Sequence, residues 1–377
     1  MAEGFLYVIG FIISLTLALV LTPFVIKLAF KIGAIDKPNH RKVHTRIMPR
    51  LGGLGIYAAF VGAYFAIKPF IPDGLLRNYD TNLINALLTG GSIIILIGVL
   101  DDRFELSAKV KLVGQIIAAS VVVLGFDVKI DLLNIPFGET MQPVAAWLSI
   151  PLTILWIVGV TNAINLIDGL DGLAAGVSAI AIGTILVMAT IMGFVPVILL
   201  SALLLGGVIG FLCYNFHPAK IFMGDTGSLF LGFSLATLSM IGFKQVTVVS
   251  FLVPLLIIGV PLSDTFFAIV RRWVNKKPIF APDKGHLHHC LRELGFSHRR
   301  TVLIIYAIAA FFGVCAILQS TIVQSSAANW ITFVIILVLI FVLQIGAELI
   351  GIVDKSRRPL LNFIQRVLVR TEQSRSK

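Results

Sequence analysis

The sequence predicts an all-α integral membrane protein, a polytopic helical bundle of about eleven transmembrane helices. The composition supports this fold class, because 58% of the 377 residues are hydrophobic and 13% are charged, whereas a soluble domain carries roughly 25% charged residues. Apolar runs recur at about the 20-residue length that a helix needs to cross a bilayer. The predicted spans cover residues 5–30, 51–68, 82–100, 108–125, 144–161, 172–192, 195–214, 227–243, 247–270, 303–320 and 329–350.

Positive charge is concentrated in every second connection of the predicted bundle. The odd-numbered connections and the C-terminal tail hold 25 of the 30 Lys and Arg residues. Since basic loops stay on the cytoplasmic side, we expect these connections and the C-terminus in the cytoplasm and the N-terminus outside. The net charge of +11 is then explained by topology and by attraction to anionic lipids and substrates, and nucleic acid is not expected as a partner.

The sequence predicts one folded domain. The first apolar run is longer than a signal-peptide core and lacks a preceding basic region, so we expect it to be retained as a span. Cys213, Cys290 and Cys315 show no paired spacing, which indicates neither a disulfide framework nor a zinc site. We predict a membrane domain over residues 1–352 and a basic cytoplasmic tail over residues 353–377, whose mixed arginines and apolar residues favour an amphipathic helix on the membrane surface.

Polar motifs lie in the predicted cytoplasmic connections. The stretch from Asn162 to Gly172 places two carboxylates and two amides beside a predicted span. An aspartate at membrane depth costs about 2.5–3.5 kcal/mol on insertion scales, so such groups are normally paired, metal-bound or at the water boundary. The other polar motifs are Asp36-Lys37-Pro38, Asp101-Asp102-Arg103, Gly224-Asp225-Thr226-Gly227 and His286-Leu287-His288-His289.

This combination of residue types is typical of magnesium-dependent phosphate chemistry. Mg²⁺ prefers carboxylate oxygens and substrate phosphates, and Lys and Arg neutralise the charge on transferring phosphoryl groups. Helices that start after the glycines would direct backbone N–H groups at an anion. We therefore expect a metal or phosphate site where these connections meet.

Each motif also has a purely structural explanation. Asp101 and Asp102 could form a helix cap and a partner for Arg103, and Asp168 and Asp171 could cap the helix that follows them. The histidines could form a solvated loop cluster, and most basic loop residues could serve topology alone. In the apolar run after Pro261, Asp264 could pair with Arg271.

Taken together, the motifs resemble one family, the polyprenyl-phosphate N-acetylhexosamine-1-phosphate transferases. The resemblance runs from about Asp36 to His298 in the family's motif order. The His-Leu-His-His run resembles the GlcNAc branch rather than the phospho-MurNAc-pentapeptide branch, which typically has three adjacent histidines. The sequence is most similar to the Gram-positive TagO type, through Asp36–Pro38, Arg41–His44, Ile47–Arg50, Leu106–Lys111 and Tyr214–Asp225.

The resemblance implies a reaction and a location. The expected reaction transfers GlcNAc-1-phosphate from UDP-GlcNAc to undecaprenyl phosphate, giving undecaprenyl-diphospho-GlcNAc and UMP. This would be the first membrane step of a cell-wall polymer, with wall teichoic acid as the expected product. The implied cofactor is Mg²⁺, with Mn²⁺ as an alternative, and the implied location is the bacterial plasma membrane with the active site facing the cytoplasm. Membrane lipid is a further partner, and a homodimer is an open expectation because family members are often dimers.

The resemblance also assigns roles to residues. Asp225 matches the family's metal ligand, and Asp101 is a second ligand candidate. Phe222 matches an aromatic residue that packs on uracil, while Arg272 and the histidine run match an arm that handles the sugar phosphate. The catalytic candidates are Asp101, Asp102, Asp168 and His286, and the substrate-binding candidates are Asn165, Asp171, Phe222, Asn215, Lys111, Arg272, His288, His289 and Asp36. Whether Asp101 or Asp102 acts as a base, and whether transfer is direct or passes through an aspartyl intermediate, stays open.

Two other functions fit parts of the sequence. The first is a phospho-MurNAc-pentapeptide transferase with an atypical histidine run. The second is an ion-coupled transporter or lipid flippase, in which the carboxylates would couple ions to transport. Transporters usually bind near the bilayer midplane between inverted repeats. We find no such repeat in the sequence, and its carboxylates gather at one predicted face.

Overall fold

A computed structural model describes residues 2–38, 46–72, 75–76, 78–130, 132–133, 142–143, 145–241, 252–274, 276 and 285–322. Two short antiparallel pairs lie in this part, β1 (Ile35–Asp36) with β2 (Met48–Pro49) and β3 (Leu132–Leu133) with β4 (Gln142–Pro143). The helices are α1 (Ala2–Ile32), α2 (Gly52–Ile67), α3 (Asn78–Phe104), α4 (Ala108–Ser120), α5 (Ala146–Ile167), α6 (Leu173–Met192), α7 (Val195–Asn215), α8 (Gly224–Ile241), α9 (Leu252–Ile257), α10 (Gly259–Val274), α11 (Leu287–Glu293) and α12 (His298–Ile322).

Within the described residues, eight helices are long and apolar enough to cross a membrane, namely α1 to α7 and α12. In this count α2 continues through a 3-10 turn to Phe70, and α4 continues through a π-helical turn to Gly125. The all-α class and the polytopic membrane character are therefore confirmed. These eight helices match the first seven predicted spans and the span at 303–320. The span at 329–350 and the tail at 353–377 lie outside the described residues, so the total of eleven and the orientation stay predictions.

Two predicted spans differ from simple crossing helices. The span at 247–270 corresponds to α9 and α10, which are separated at Ile258. The reason is Pro261, because a proline ring in a continuous helix would clash with the carbonyl four residues earlier. The span at 227–243 corresponds to α8, in which every residue from Thr226 to Met240 is buried.

Helix α8 is the centre of the bundle and packs against α2, α3, α5 and α6. Because it is surrounded by protein, its polar residues Ser228, Ser234 and Thr237 are buried without facing lipid. The crossing with α2 is close, since a Cβ on Gly53 would lie 2.1 Å from the backbone nitrogen of Gly227. A larger residue at this crossing would push α2 away from the start of α8.

The helix ends that carry the polar motifs meet at one end of the bundle. Helices α3, α5 and α7 end there, and α2, α4, α6, α8 and α12 begin there, as shown by hydrogen bonds and ring contacts between these ends. Alternating chain direction therefore brings together motifs that are far apart in the sequence.

Candidate active site

The carboxylate of Asp102 caps the start of α8. Its Oδ1 accepts the backbone N–H of Asp225 at 2.9 Å, and its Oδ2 accepts the backbone N–H of Thr226 at 3.0 Å and the Thr226 hydroxyl at 2.6 Å. A helix N-terminus has unsatisfied N–H groups and a positive dipole end, so it attracts an anion. The anion at the start of α8 is therefore the protein's own Asp102, a cap from α3 rather than a local cap of its own helix.

Arg50 lies beside this cap. It is not among the site residues predicted from the sequence. Its Nε is 3.6 Å from Oδ1 of Asp102, and its Nη1 is 4.0 Å from Oδ1 of Asp36. The β1–β2 pair places Asp36 near Arg50, and the backbone N–H of Phe222 donates to the carbonyl of Pro49 at 2.9 Å. The Pro-Arg-Leu-Gly-Gly motif was the available signal for Arg50, because the arginine stands directly before the close α2–α8 crossing.

Asp101 and Asp225 share one lysine. The Lys111 ammonium is 3.2 Å from Oδ2 of Asp101 and 2.7 Å from Oδ2 of Asp225. The other oxygen of Asp225 accepts a hydrogen bond from the Asn165 amide at 3.2 Å. Oδ1 of Asp101 is buried and has no hydrogen-bond partner among the described residues. One cation thus serves two close carboxylates, and one buried oxygen is left unsatisfied, which is costly in a protein interior.

Asp168, directly after the end of α5, adds a further acidic group. No hydrogen bond to its carboxylate is found within the described part of the chain. Removal from water, together with the nearby carboxylates of Asp225 and Asp102, raises the pKa of Asp168 to about 8. The group therefore holds a proton at neutral pH unless positive charge is added nearby. The buried orphan oxygen of Asp101 and this excess of carboxylates fit a hard divalent cation, which prefers oxygen ligands.

A second group of predicted residues lies where α6 begins and α7 ends. The buried amide of Asn215 accepts the N–H of Gly172 at 3.1 Å and donates to the carbonyl of Ile221 at 2.9 Å. It thereby links the backbone at Gly172, next to Asp171, with the backbone at Ile221, next to Phe222. Oδ2 of Asp171 contacts Nδ1 of His217 at 2.7 Å and accepts the N–H of Ala219 at 3.2 Å.

His298 joins this second group by stacking on His217. One potential ligand atom from each of Asp171, His217 and His298 lies within 4.8 Å of the others. The two imidazole rings are 4.1 Å apart and 20° from parallel. Ring nitrogens bind metals through lone pairs in the ring plane, and these run side by side in stacked rings instead of converging. This arrangement favours a packed hydrogen-bonded cluster over a metal centre.

The histidine run forms an arm on α11 that is anchored by α10. Asp264 holds the Nδ1 of His286 and the backbone N–H of Leu287. His288 packs against Gly169, where a Cβ would lie 2.5 Å from its Nε2. Burial and the neighbouring His289 lower the pKa of His288 to about 3, so this ring is neutral at physiological pH.

The structure therefore places the predicted residues in three neighbouring groups. The acidic centre contains Asp36, Asp101, Asp102, Lys111, Asn165, Asp168 and Asp225, and the second group contains Asp171 and Asn215, next to the backbone of Phe222. The arm carries His286 directly before α11 and His288 and His289 on α11, while Arg272 is buried in α10. His40 and His44 lie outside the described residues. The structural alternative for Arg103 does not describe its main contact, since its guanidinium lies 5.2 Å from the ring of Phe104.

Comparison with known proteins identifies the family. The sequence model of glycosyl transferase family 4 matches residues 84–243, a range that includes most of the acidic centre and the second group. A Bacillus subtilis protein named as a probable undecaprenyl-phosphate N-acetylglucosaminyl 1-phosphate transferase is 48% identical over 96% of this chain and 97% of its own length. The chain belongs to the polyprenyl-phosphate N-acetylhexosamine-1-phosphate transferases.

Two further relatives are less similar to this chain than the Bacillus subtilis protein is. The Mycobacterium tuberculosis decaprenyl-phosphate N-acetylglucosaminephosphotransferase is 40% identical over 74% of each chain. The Escherichia coli undecaprenyl-phosphate alpha-N-acetylglucosaminyl 1-phosphate transferase is 29% identical over 93% of this chain and 91% of its own length. The family resemblance expected from the motifs is confirmed.

Proposed function

We propose that this transferase moves GlcNAc-1-phosphate from UDP-GlcNAc to undecaprenyl phosphate and releases UMP. The proposal rests on the full-length similarity to the Bacillus subtilis relative, whose name states this lipid and this sugar. The acidic centre with its shared lysine supplies the side chains that such phosphoryl transfer needs. The reaction forms a bond between an acceptor phosphate oxygen and the donor's sugar-bearing phosphorus while the bond from that phosphorus to UMP breaks.

Asp225 and Asp101 are the residues we propose to hold the metal, with Mg²⁺ as the expected ion and Mn²⁺ as the alternative. The support is the unpartnered buried oxygen of Asp101 and the closeness of both carboxylates to one ammonium. When bound, the cation would neutralise diphosphate charge and stabilise UMP as the leaving group.

The remaining charged residues of the acidic centre take different parts. Lys111 and Arg50 bring positive charge to a place where two anionic substrates must meet, which lowers their repulsion. The acceptor is a phosphate monoester with a second pKa near 6, so it is largely dianionic at neutral pH and needs no strong base. Because Asp102 already accepts three hydrogen bonds, we assign it to positioning α8, and we assign Asp101 and Asp168 to the reacting groups.

We place the donor nucleotide at the second group and its sugar phosphate at the histidine arm. Asp171 and Phe222 would contact the uridine, and Asn215 would fix the backbone next to each of them. Arg272, His286, His288 and His289 would face the sugar phosphate. His288 of the arm packs against Gly169, which directly follows Asp168 of the acidic centre. This contact would bring the sugar-phosphate part of the donor site next to the acidic centre.

The cellular setting is also part of the proposal. The basic connections favour an active site on the cytoplasmic face of the plasma membrane, where UDP-sugars are made. Wall teichoic acid is the expected polymer, and a homodimer is the expected assembly. A basic tail over residues 353–377 would rest on the inner leaflet.

The test is a transfer assay on purified protein in detergent with Mg²⁺. Radiolabelled UDP-GlcNAc and UDP-MurNAc-pentapeptide are each offered with undecaprenyl phosphate, and lipid-linked label is counted. We expect lipid-linked label from UDP-GlcNAc and none from UDP-MurNAc-pentapeptide. Labelling only from the pentapeptide donor would move the protein to the other branch of the family, and labelling from neither would favour transport.

A further inference from the structure

Asp264 is a buried carboxylate that lies outside the acidic centre. It sits in α10 with 4% of its surface exposed, and His286 is 5% exposed. Oδ2 of Asp264 is 2.9 Å from Nδ1 of His286, and Oδ1 accepts the backbone N–H of Leu287 at 2.8 Å. Both oxygens are therefore committed to the first residues of the histidine arm, from 22 and 23 positions away in the sequence.

Arg271 provides a separate anchor for the same arm. Its Nη1 donates to the carbonyl of Gly285 at 3.0 Å, and a Cβ on Gly285 would lie 2.2 Å from the Arg271 Cζ. Arg271 therefore holds the backbone before His286, whereas Asp264 holds both the backbone after it and the ring itself. Asp264 and Arg271, both on α10, thus contact the arm in two different ways, and the two contacts can be tested separately.

Anchoring alone does not explain a carboxylate at this position. A buried charge without compensation is strongly unfavourable, and a neutral acceptor would satisfy the N–H of Leu287 equally well. A carboxylate facing Nδ1 does something more, because it keeps the proton on Nδ1 in the neutral ring and stabilises the imidazolium when Nε2 is also protonated.

We propose that Asp264 is a positioning residue for His286, which orients the imidazole and supports its protonated form so that Nε2–H can donate to a phosphate oxygen of the donor. The inference rests on the proposed function, since it gives His286 the sugar phosphate as its ligand. It adds a residue from α10 to the arm, and no covalent step is involved.

The charged and titratable groups around His286 come from three helices. Its neighbour His288 has a ring 5.9 Å away and 5° from parallel, and it stays neutral, so it does not compete for the proton. Among the described residues, the groups whose contacts or charges bear on this arm are Asp264 and Arg271 on α10, His288 and His289 on α11, and His298 at the start of α12. Within this set, Asp264 is the anionic group.

The first test is Asp264→Asn. Whichever way the amide is turned, its NH₂ group faces either Nδ1–H or the N–H of Leu287, so one contact is lost. We expect kcat to fall about 10–100-fold, the usual effect of removing a carboxylate behind a functional histidine. The limb of the kcat/KM profile that falls at high pH should move to lower pH, because the imidazolium loses its counter-ion.

Two control variants on α10 separate positioning from anchoring. Arg271→Ala removes the backbone anchor and a nearby positive charge, so it should not move the high-pH limb to lower pH, even if the rate falls. Ser263→Ala removes only a hydroxyl that donates to the carbonyl of Val260 and should behave as wild type. An unchanged high-pH limb in Asp264→Asn, or the same shift in Arg271→Ala, would overturn the proposal.

A double variant tests whether Asp264 acts through His286. In a His286→Gln background, Asp264→Asn should reduce kcat by less than about threefold, because coupled residues are not additive. Multiplying effects would contradict the proposal. Failure to recover folded Asp264→Asn protein, alone and with His286→Gln, would also overturn it, since the carboxylate would then hold the fold rather than the ring.

A spectroscopic measurement keeps this inference separate from the reaction itself. In ¹⁵N-histidine-labelled protein, with His286→Gln for assignment, we expect the neutral His286 ring to carry its proton on Nδ1. Asp264→Asn should lose this preference. Wild-type protein that shows the Nδ1–H ring but transfers no GlcNAc-1-phosphate would keep the pair and reject the proposed function, while a ring protonated on Nε2 would reject the pair.

Discussion

Asp101 and Asp102 are neighbours at the end of α3, yet their surroundings differ. Asp102 accepts three hydrogen bonds from the start of α8 and lies beside Arg50. Asp101 shares the ammonium of Lys111 with the neighbouring carboxyl of Asp225, and its Oδ1 is buried with no hydrogen-bond donor from the described chain. Consecutive carboxylates can therefore divide two tasks: one stabilises the fold, and the other keeps ligand capacity for a cation and substrate.

The largest effect should come from the cation-demanding side of this comparison. We predict that Asp225→Asn lowers turnover at least about 100-fold, the scale of losing one electrostatic contact to a transition state, while folding is preserved because little volume changes. Steady-state transfer rates measure this effect, and Thr237→Val on the same helix is the control. Turnover near the wild-type value would remove Asp225 from the mechanism.

For Asp102, whose oxygens already accept three hydrogen bonds, we expect an effect on stability. Asp102→Ala leaves two buried N–H groups at the start of α8 unsatisfied, and we predict a loss of about 2–3 kcal/mol in the free energy of unfolding. Asp101→Asn should cost less than about 1 kcal/mol but impair transfer. Unfolding in mixed micelles compares the two, with Arg103→Ala as control. Equal destabilisation by both variants would contradict the division of tasks.

Lys111 is the ammonium that Asp101 and Asp225 share, so its removal should increase their demand for a divalent cation. In Lys111→Met, Asp101 and Asp225 lack their shared ammonium, so 10 mM Mg²⁺ should raise the melting temperature by a few degrees more than in wild type. The matched control is Lys109→Met, an exposed position two residues earlier on α4. Identical Mg²⁺ shifts in all three proteins would show that the lysine and the cation do not share the carboxylates.

The last prediction concerns pH. In the folded protein Asp168 keeps its proton up to a pKa of about 8, whereas the unfolded chain releases it near the ordinary value of 3.8. The folded state binds more protons between these values, so this group lowers stability as pH rises from about 4 to 8. We predict that Asp168→Asn melts progressively higher than wild type over that window in EDTA, by a few degrees at pH 8.

The control for this pH effect is Asp127→Asn, at an exposed carboxylate. It should leave the pH dependence of melting as in wild type. A constant difference between Asp168→Asn and wild type across the window would mean that Asp168 is ionised in the folded protein.

Much of the fold could be predicted from the sequence, because apolar length is a local property. Eight described helices match predicted spans, and the separation of α9 from α10 follows from Pro261, a residue that the sequence displays. The central position of α8 could not be predicted. Its apolar run is long enough to be predicted as a span, and only its neighbours show that protein surrounds it.

The site residues could be listed from the sequence, but their pairing could not. Asp102 and Thr226 are 124 residues apart, and nothing local indicates that one caps the helix of the other. For Asp264, the sequence offers Arg271 as a partner by helical spacing. The contact of Asp264 with His286 depends on the fold of the arm, and the Pro49–Gly53 motif, although a signal for Arg50, does not show that this residue lies beside Asp102.

The most direct test of the cation site is Mn²⁺ binding followed by electron paramagnetic resonance on purified protein. We predict one tightly bound Mn²⁺ per chain in wild type, displaced by Mg²⁺, lost in Asp225→Asn and Asp101→Asn, and retained in Asp171→Asn. Wild-type binding in Asp225→Asn, or loss of binding in Asp171→Asn alone, would contradict the assignment of the cation to the Asp101 and Asp225 carboxylates.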